Sequence, residues 1–224
     1  MNAPALTVTA PQRQSPYRYL AVEGPIGAGK TSLARRLAER WAMTELFERP
    51  NDNPFLERFY GDMARYALPT ELQFALQRAG QAREAAASLA VGRPLIADFI
   101  TQKSDIFARL TLSDDEWALY RTLAAGLAAS GPQPDLVVYL QASPPTLLER
   151  VRKRARPEET PMSEAYLRKL AEAYDQFFYH YDGSPVLTVN TEHLNPLESE
   201  ADFALVVERI ETMRGRKASF VKAQ

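Results

Sequence analysis

Residues Gly24-Pro25-Ile26-Gly27-Ala28-Gly29-Lys30-Thr31 fit the pattern GxxxxGK[ST], the spacing of a phosphate-binding loop. In such a loop the glycines let successive backbone N–H groups close around phosphate oxygens. Lys30 reaches the β and γ oxygens of a nucleoside triphosphate, and the Thr31 hydroxyl ligates Mg2+. Asp98 closes the apolar run Leu95-Ile96-Ala97, and the carboxyl end of a strand is where open α/β sheets keep their chemistry. Arg150, Arg152, Lys153, Arg154 and Arg156 form a basic cluster between two expected helices. Beside a phosphate loop, guanidinium groups on a moving segment suit closure over a transferring phosphoryl group. Taken alone, the same cluster also fits a solvated charged helix end.

The elements that must hold these residues follow from periodicity. The loop sits between the apolar run Tyr19-Leu20-Ala21-Val22 and Ser32 to Arg40, whose apolar residues recur at helical spacing, so bound phosphates would also meet a helix N-terminus. Strands are expected over 17–23, 44–48, 95–98, 135–140 and 186–189. Asn53-Pro54 opens a helix, and a second is expected to start near Leu68-Pro69-Thr70 and run towards Leu89. Residues 101–128 read as two helices parted at a capping box formed by Ser113 and Glu116. Further helices are expected after Ser143-Pro144-Pro145, from Ser163 to Tyr181 and from Ala201 to Met213. Strands alternating with helices predict an α/β fold with a mainly parallel sheet covered on both faces.

With 224 residues, 46% of them hydrophobic, the chain suits one buried core, expected over 17–213. Residues 1–16 read as a disordered tail on a soluble protein, without the apolar core of a secretion signal, and residues 214–224 as a C-terminal tail. A net charge of −1 and a pI near 6.2 give no electrostatic footprint for nucleic acid or an anionic membrane. Lacking cysteine, the chain has no disulfide, thiolate nucleophile or cysteine zinc site, and it suits a reducing cytoplasm. The GTPase signatures DxxG and NKxD are missing in their expected places, which disfavours a GTPase switch.

From about Tyr19 to Ile210 the sequence resembles the deoxynucleoside kinases, and within them the bacterial deoxyadenosine/deoxyguanosine kinase branch. The resemblance is carried by Glu23 to Thr31, by Asn53-Pro54-Phe55-Leu56-Glu57-Arg58-Phe59-Tyr60, by Ala67-Leu68-Pro69-Thr70, by the strand ending at Asp98, and by Arg152-Lys153-Arg154-Ala155-Arg156-Pro157-Glu158-Glu159. It implies a P-loop NTPase fold with a five-stranded parallel sheet in order 2-3-1-4-5 and an arginine-rich lid. It also implies transfer of the ATP γ-phosphate to a deoxynucleoside 5′-hydroxyl for nucleotide salvage, with Mg2+ as the cofactor and a homodimer as the assembly, paired through the helices between Asn53 and Leu89.

Carried over residue by residue, the resemblance puts the general base at Glu48, although Arg49 stands where the animal enzymes have a proline. Arg152, Arg154 and Arg156 match the lid, and Tyr60 matches a contact to the sugar 3′-hydroxyl. Asp98 matches an acidic residue that organises Mg2+, directly or through water, together with Thr31. Phe99 replaces the arginine of that motif, and Lys103, one helical turn on, is the candidate substitute. Glu172 and Asp175 are candidates for a second 3′-hydroxyl contact. Phe55, Phe59, Phe74 and Phe99 are candidates to stack on the base, though such a residue alone is more often core. Glu71 stands where the family usually has a glutamine that pairs with the base, with Gln73 and Gln77 nearby. A carboxylate accepts two hydrogen bonds and donates none, which suits the adjacent N1–H and N2–H donors of guanine. Against adenine or cytosine one oxygen would face a lone pair, at about 1–3 kcal/mol, so deoxyguanosine is the expected first substrate, with deoxyadenosine second. Two other readings stay open here: a nucleoside monophosphate kinase of the thymidylate kinase type, and a nucleotide-binding regulator without turnover.

Overall fold

The computed structural model describes residues 14–127, 131–156, 159 and 162–222. The tail expected over 1–16 lies outside the described residues as far as residue 13, and so do residue 128, Pro157 and Glu158.

Six parallel strands form one sheet in the order β2-β3-β1-β4-β5-β6: β1 (Tyr19–Glu23), β2 (Thr44–Leu46), β3 (Leu95–Ala97), β4 (Leu136–Gln141), β5 (Val186–Asn190) and β6 (Lys217–Val221). The expected order of five is present, and the sixth strand corrects the count. Lys217–Val221 pairs with β5 along Val186 to Asn190, after a turn in which Gly215 takes φ +76. Its sequence hides it, because β6 is an edge strand whose Lys217, Ser219 and Val221 face solvent, so no continuous apolar run marks it.

Alternation along the central strands sorts two cores. Leu20 and Val22 of β1, Leu136, Val138 and Leu140 of β4, and Leu187 and Val189 of β5 face α1 (Lys30–Trp41) and α8 (Glu200–Thr212), meeting Leu33, Leu37, Phe203, Val206 and Ile210. Ala21, Val137 and Tyr139 face the other way, against Ile106 of α4 (Lys103–Thr111), Tyr120 of α5 (Asp114–Leu127), Leu148 of α6 (Pro144–Arg154), and Leu167 and Tyr174 of α7 (Glu164–His180). Each fully buried Leu or Ile in these layers contributes about 1.5–3 kcal/mol.

Two helices bring the site together. α2 (Leu56–Gly61) is short. α3 (Met63–Ala90) starts five residues earlier than Leu68, because the Asp62 side chain caps it by accepting from the Arg65 N–H at 3.3 Å. Pro69 therefore lies in the second turn of the helix, where it forgoes the backbone bond to the Arg65 carbonyl. The capping box is formed, with the Ser113 N–H donating to Glu116 Oε2 at 3.0 Å. Among the described residues no helix is long and apolar enough to cross a membrane.

Candidate active site

The loop that follows β1 is shaped by its glycines and anchored by a buried acid. Gly27 has φ +88, and a Cβ there would lie 2.6 Å from the Leu147 carbonyl oxygen, so the backbone of α6 closes this position to any side chain. Lys30 opens α1, and its Nζ donates to the carbonyls of Gly24 at 2.8 Å and Pro25 at 3.0 Å. Burial, with the charge of Lys103 behind it, pulls the Lys30 pKa down to about 8. At the mouth of the loop Glu23 is fully buried. It accepts from the Gly24 N–H at 2.8 Å, the Ile100 N–H at 2.9 Å and the Tyr174 hydroxyl at 3.1 Å, tying the loop to the segment after β3 and to α7. Burial raises its pKa.

Asp98, just past β3, joins the loop to the segment after β2. Its Oδ2 accepts from the Thr31 hydroxyl at 2.5 Å and its Oδ1 from the Glu48 N–H at 2.7 Å. These hard oxygens fit Mg2+, which takes one or two protein oxygens and fills its remaining positions with water and phosphate oxygens. Among the described residues there is no group of three or more His, Cys, Asp or Glu that could hold a metal ion.

The Glu48 carboxylate is gripped by two cations. Arg78 Nη2 of α3 donates at 2.8 Å and Lys103 Nζ at the start of α4 donates at 2.5 Å, while Arg78 Nη1 donates to Ser104 Oγ at 2.5 Å. Burial pushes the Glu48 pKa up, but Lys103 and Arg78 outweigh it and hold the group down at about 2. Glu71 lies two turns before Arg78 on α3 and is 2% exposed, and its Oε2 has no hydrogen-bond partner. Burial pushes its carboxyl up to about 7 against the opposing charges of Arg78 and Lys103.

The other expected site residues are more scattered. Phe99, 1% exposed, packs with Tyr19, Leu46, Ala85 and Leu95, which makes its ring core and corrects its reading as a base-stacking face. Phe59 is likewise core. Glu172 is exposed on α7, and Asp175 accepts from the Tyr139 hydroxyl at 2.5 Å and Gln141 at 2.6 Å. Tyr60 is half-buried with its ring 5.1 Å from that of Phe59, and Phe74 is half-buried with the Arg78 guanidinium 5.3 Å from its ring centre. Arg152 is exposed, while Arg154 reaches both Glu159 oxygens at 2.6 Å and Arg156 stands 3.9 Å from one of them.

A phosphate loop, an acid beside its threonine and a second acid held over the same strand ends fit a phosphoryl transferase. The model of the family described as deoxynucleoside kinase matches residues 20–214. The chain belongs to the deoxynucleoside kinase family. It is 36% identical to the deoxyguanosine kinase of Bacillus subtilis over 175 residues, covering 77% of this chain and 84% of that one. It is 30% identical to the deoxyguanosine kinase of Lactobacillus johnsonii over 202 residues, covering 85% and 90%, and 30% identical to the deoxyadenosine kinase of Dictyostelium discoideum over 185 residues, covering 80% and 74%. The solved deoxyadenosine kinase of M. mycoides with bound dATP shares the fold, with a TM-score of 0.76 at 21% identity over 87% of this chain and 100% of that one.

The kinase is thus an ATP-dependent phosphotransferase acting on deoxynucleosides. Its site contains residues that periodicity alone passed over. Arg78 is the clearest: a cation among Ala75, Ala79, Ala82 and Ala85 on one helix, buried where an alanine stripe packs, signals a paired charge. Glu23 carried a similar signal, as an acid ending a strand that is buried throughout.

Proposed function

We propose that this kinase phosphorylates purine deoxynucleosides at the 5′-hydroxyl, deoxyguanosine first and deoxyadenosine second, with Mg·ATP as donor, in cytoplasmic nucleotide salvage. The observation that carries the purine assignment is Glu71, a buried carboxyl with an unpartnered oxygen in the same charged cluster as Glu48. The names of the relatives from Bacillus subtilis, Lactobacillus johnsonii and Dictyostelium discoideum point the same way.

In this reading the loop amides of Gly24 to Thr31, Pro25, Ile26 and Ala28 included, receive the ATP phosphates, and Lys30 exchanges the Gly24 and Pro25 carbonyls for phosphate oxygens. Thr31 and Asp98 would hold Mg2+, which would supply neutralisation of charge on the phosphate oxygens. Glu48 orients the 5′-hydroxyl towards the γ-phosphorus. A carboxylate held near a pKa of about 2 is a weak base, but phosphoryl transfer has a loose transition state in which the hydroxyl proton leaves late, so positioning matters more than basicity. Lys103 and Arg78 fix the carboxylate in place, with Lys103 supplying a cation that Phe99 does not. Arg154 and Arg156 exchange Glu159 for phosphate oxygens as the lid closes, and Arg152 joins them from solvent. Tyr60 contacts the sugar, and Phe74 lies against the base.

The test is ADP release from Mg·ATP with each of the four deoxynucleosides, with thymidine monophosphate and with no acceptor, using Lys30→Ala as the blank. Turnover led by deoxyguanosine is expected. Turnover led by a pyrimidine would discard the role given to Glu71, use of the monophosphate alone would make the chain a nucleotide kinase, and no turnover would favour a regulator.

The kinase is also proposed to work as a homodimer. A groove of about 610 Å³ between α4 and α7 carries Ile106, Leu110, Phe177 and Tyr181, and the neighbouring Tyr179 is 78% exposed. Between Asn53 and Leu89, where the pairing helices were expected, Leu76 is the large apolar residue left exposed. Light scattering on the purified chain is expected to give twice the 25.1 kDa of one copy, and a Phe177→Glu variant is expected to run as a monomer. A wild-type monomer at micromolar concentration would overturn the assignment.

A further inference from the structure

Glu71 sits among charged and titratable groups from the elements around it: Arg78 on α3 itself, Lys103 on α4, Glu48 after β2, Tyr120 on α5 and Tyr166 on α7, with Tyr60 of α2 beside Tyr166. Around it, buried polar atoms are left without a hydrogen-bond partner, namely Glu71 Oε2, Arg78 Nε and the Tyr166 hydroxyl. Folded chains pair nearly all buried polar atoms, so several unpaired ones in one place mark where a polar ligand completes the set. Donors and acceptors are both among them, as the edge of a nucleobase requires.

We propose that the Glu71 carboxyl reads the purine edge in two protonation states, and that its proton decides whether adenine is admitted beside guanine. This rests on the assignment of Glu71 to the base. The ionised carboxylate offers two acceptors, which match guanine N1–H and N2–H and leave adenine N1 facing a lone pair. The neutral acid offers one O–H donor and one acceptor, which match adenine N1 and N6–H. It also fits guanine, one position over, through O6 and N1–H. Protonation therefore adds adenine without excluding guanine, and ionisation removes adenine alone.

Burial pushes this carboxyl up to about 7, with Arg78 and Lys103 opposing and Glu48 adding to the rise, so both forms are populated near neutrality. Neither purine titrates there, since adenine N1 takes a proton only in acid and guanine N1 loses one only in alkali. The two nucleosides share the same 5′ chemistry, so titration of Lys30 or of ATP cancels in their ratio.

The experiment measures kcat/KM for deoxyguanosine and deoxyadenosine from about pH 6 to about pH 8, in the wild-type enzyme and in Glu71→Gln. In the wild type the ratio of deoxyguanosine to deoxyadenosine is expected to rise with pH. The rise approaches tenfold per unit above the pKa and, for a carboxyl near 7, comes to about tenfold between pH 6 and pH 8, within the size of one buried mispairing. In Glu71→Gln, whose amide offers a donor and an acceptor at every pH, the ratio is expected to stay flat and to favour deoxyadenosine relative to the wild type. Proton linkage in the wild-type enzyme gives a second measurement should the variant not fold. Calorimetry near pH 7.5 in buffers of different ionisation enthalpy is expected to show proton uptake on deoxyadenosine binding and none on deoxyguanosine binding. A flat wild-type ratio with both purines turned over overturns the proposal while leaving the kinase assignment intact, and so does a variant that keeps the wild-type slope. Turnover of pyrimidines alone overturns the placement of Glu71 on a purine, and this proposal with it.

Discussion

Replacing Glu48 by glutamine is expected to lower kcat with deoxyguanosine by about 10²–10⁴, with a much smaller change in the KM for ATP. Glutamine keeps the shape of the side chain but can neither draw the 5′-hydroxyl proton nor balance the two cations beside it. Arg78 and Lys103, each about 5% exposed, would then face each other and Lys30 with one anion fewer. Breaking a buried ion pair from one side costs about 3–5 kcal/mol. Lys103 can relieve part of this by giving up its proton. In the wild type burial lowers its pKa, but Glu48 and Glu23 outweigh that and raise it, and the variant removes the larger of those two supports. The sign of the pH dependence follows. A raised lysine contributes stability that is lost as pH rises through its folded pKa, so removing Glu48 moves that loss to lower pH. Thermal unfolding at several pH values checks the stability, and pre-steady-state phosphoryl transfer checks the rate. A variant that transfers phosphate within tenfold of the wild-type rate would reduce Glu48 to a structural counter-ion.

How much of this was legible in the sequence depends on whether a feature is written in one stretch or in two. The phosphate loop is one stretch, and strand, glycines, lysine and helix fall in the order the chemistry needs. The central strands are apolar runs because both faces are covered, and their order agrees with the expected one. β6 escaped because an edge strand exposes alternate residues and reads as polar. The start of α3 escaped because Pro69 looks like a first-turn proline, although the cap that decides the matter is Asp62. The charged cluster is the harder case. Lys103 was legible as a substitute for a missing cation, but that its ammonium would lie on Glu48, 55 residues away, depends on packing α4 against the segment after β2. Arg78 stood out only as a cation in an alanine stripe and Glu23 only as the acid ending an apolar strand, and neither signal names a partner, since burial of a charge is fixed by the elements around it. Phe99 was misread for the reverse reason. Its place in a motif suggested the site, while its neighbours Ala97 and Ile100 put it in an apolar stretch that packs inwards.

Asp98→Asn is expected to leave the fold nearly as stable as the wild type and to lower kcat by about 10²–10³. The argument turns on which of its two hydrogen bonds can reverse. The Glu48 N–H can only donate, so the amide oxygen of the variant must take the place of Oδ1. That leaves the amide NH2 against the Thr31 hydroxyl, now 2.5 Å from Oδ2, and a hydroxyl can accept as readily as donate. Both bonds survive in altered form, and the melting temperature should move by no more than a few degrees. Of the two oxygens suited to Mg2+, one becomes nitrogen and the other spends one of its two lone pairs on the Glu48 N–H. The enzyme should therefore need several times more Mg2+ for half-maximal rate. Titration of kcat with MgCl2, beside a melting curve, separates this variant from Glu48→Gln, which loses stability as well as rate. A normal Mg2+ requirement in Asp98→Asn would mean that the Thr31–Asp98 contact only braces the loop against β3, and that Mg2+ is held by ATP and water alone.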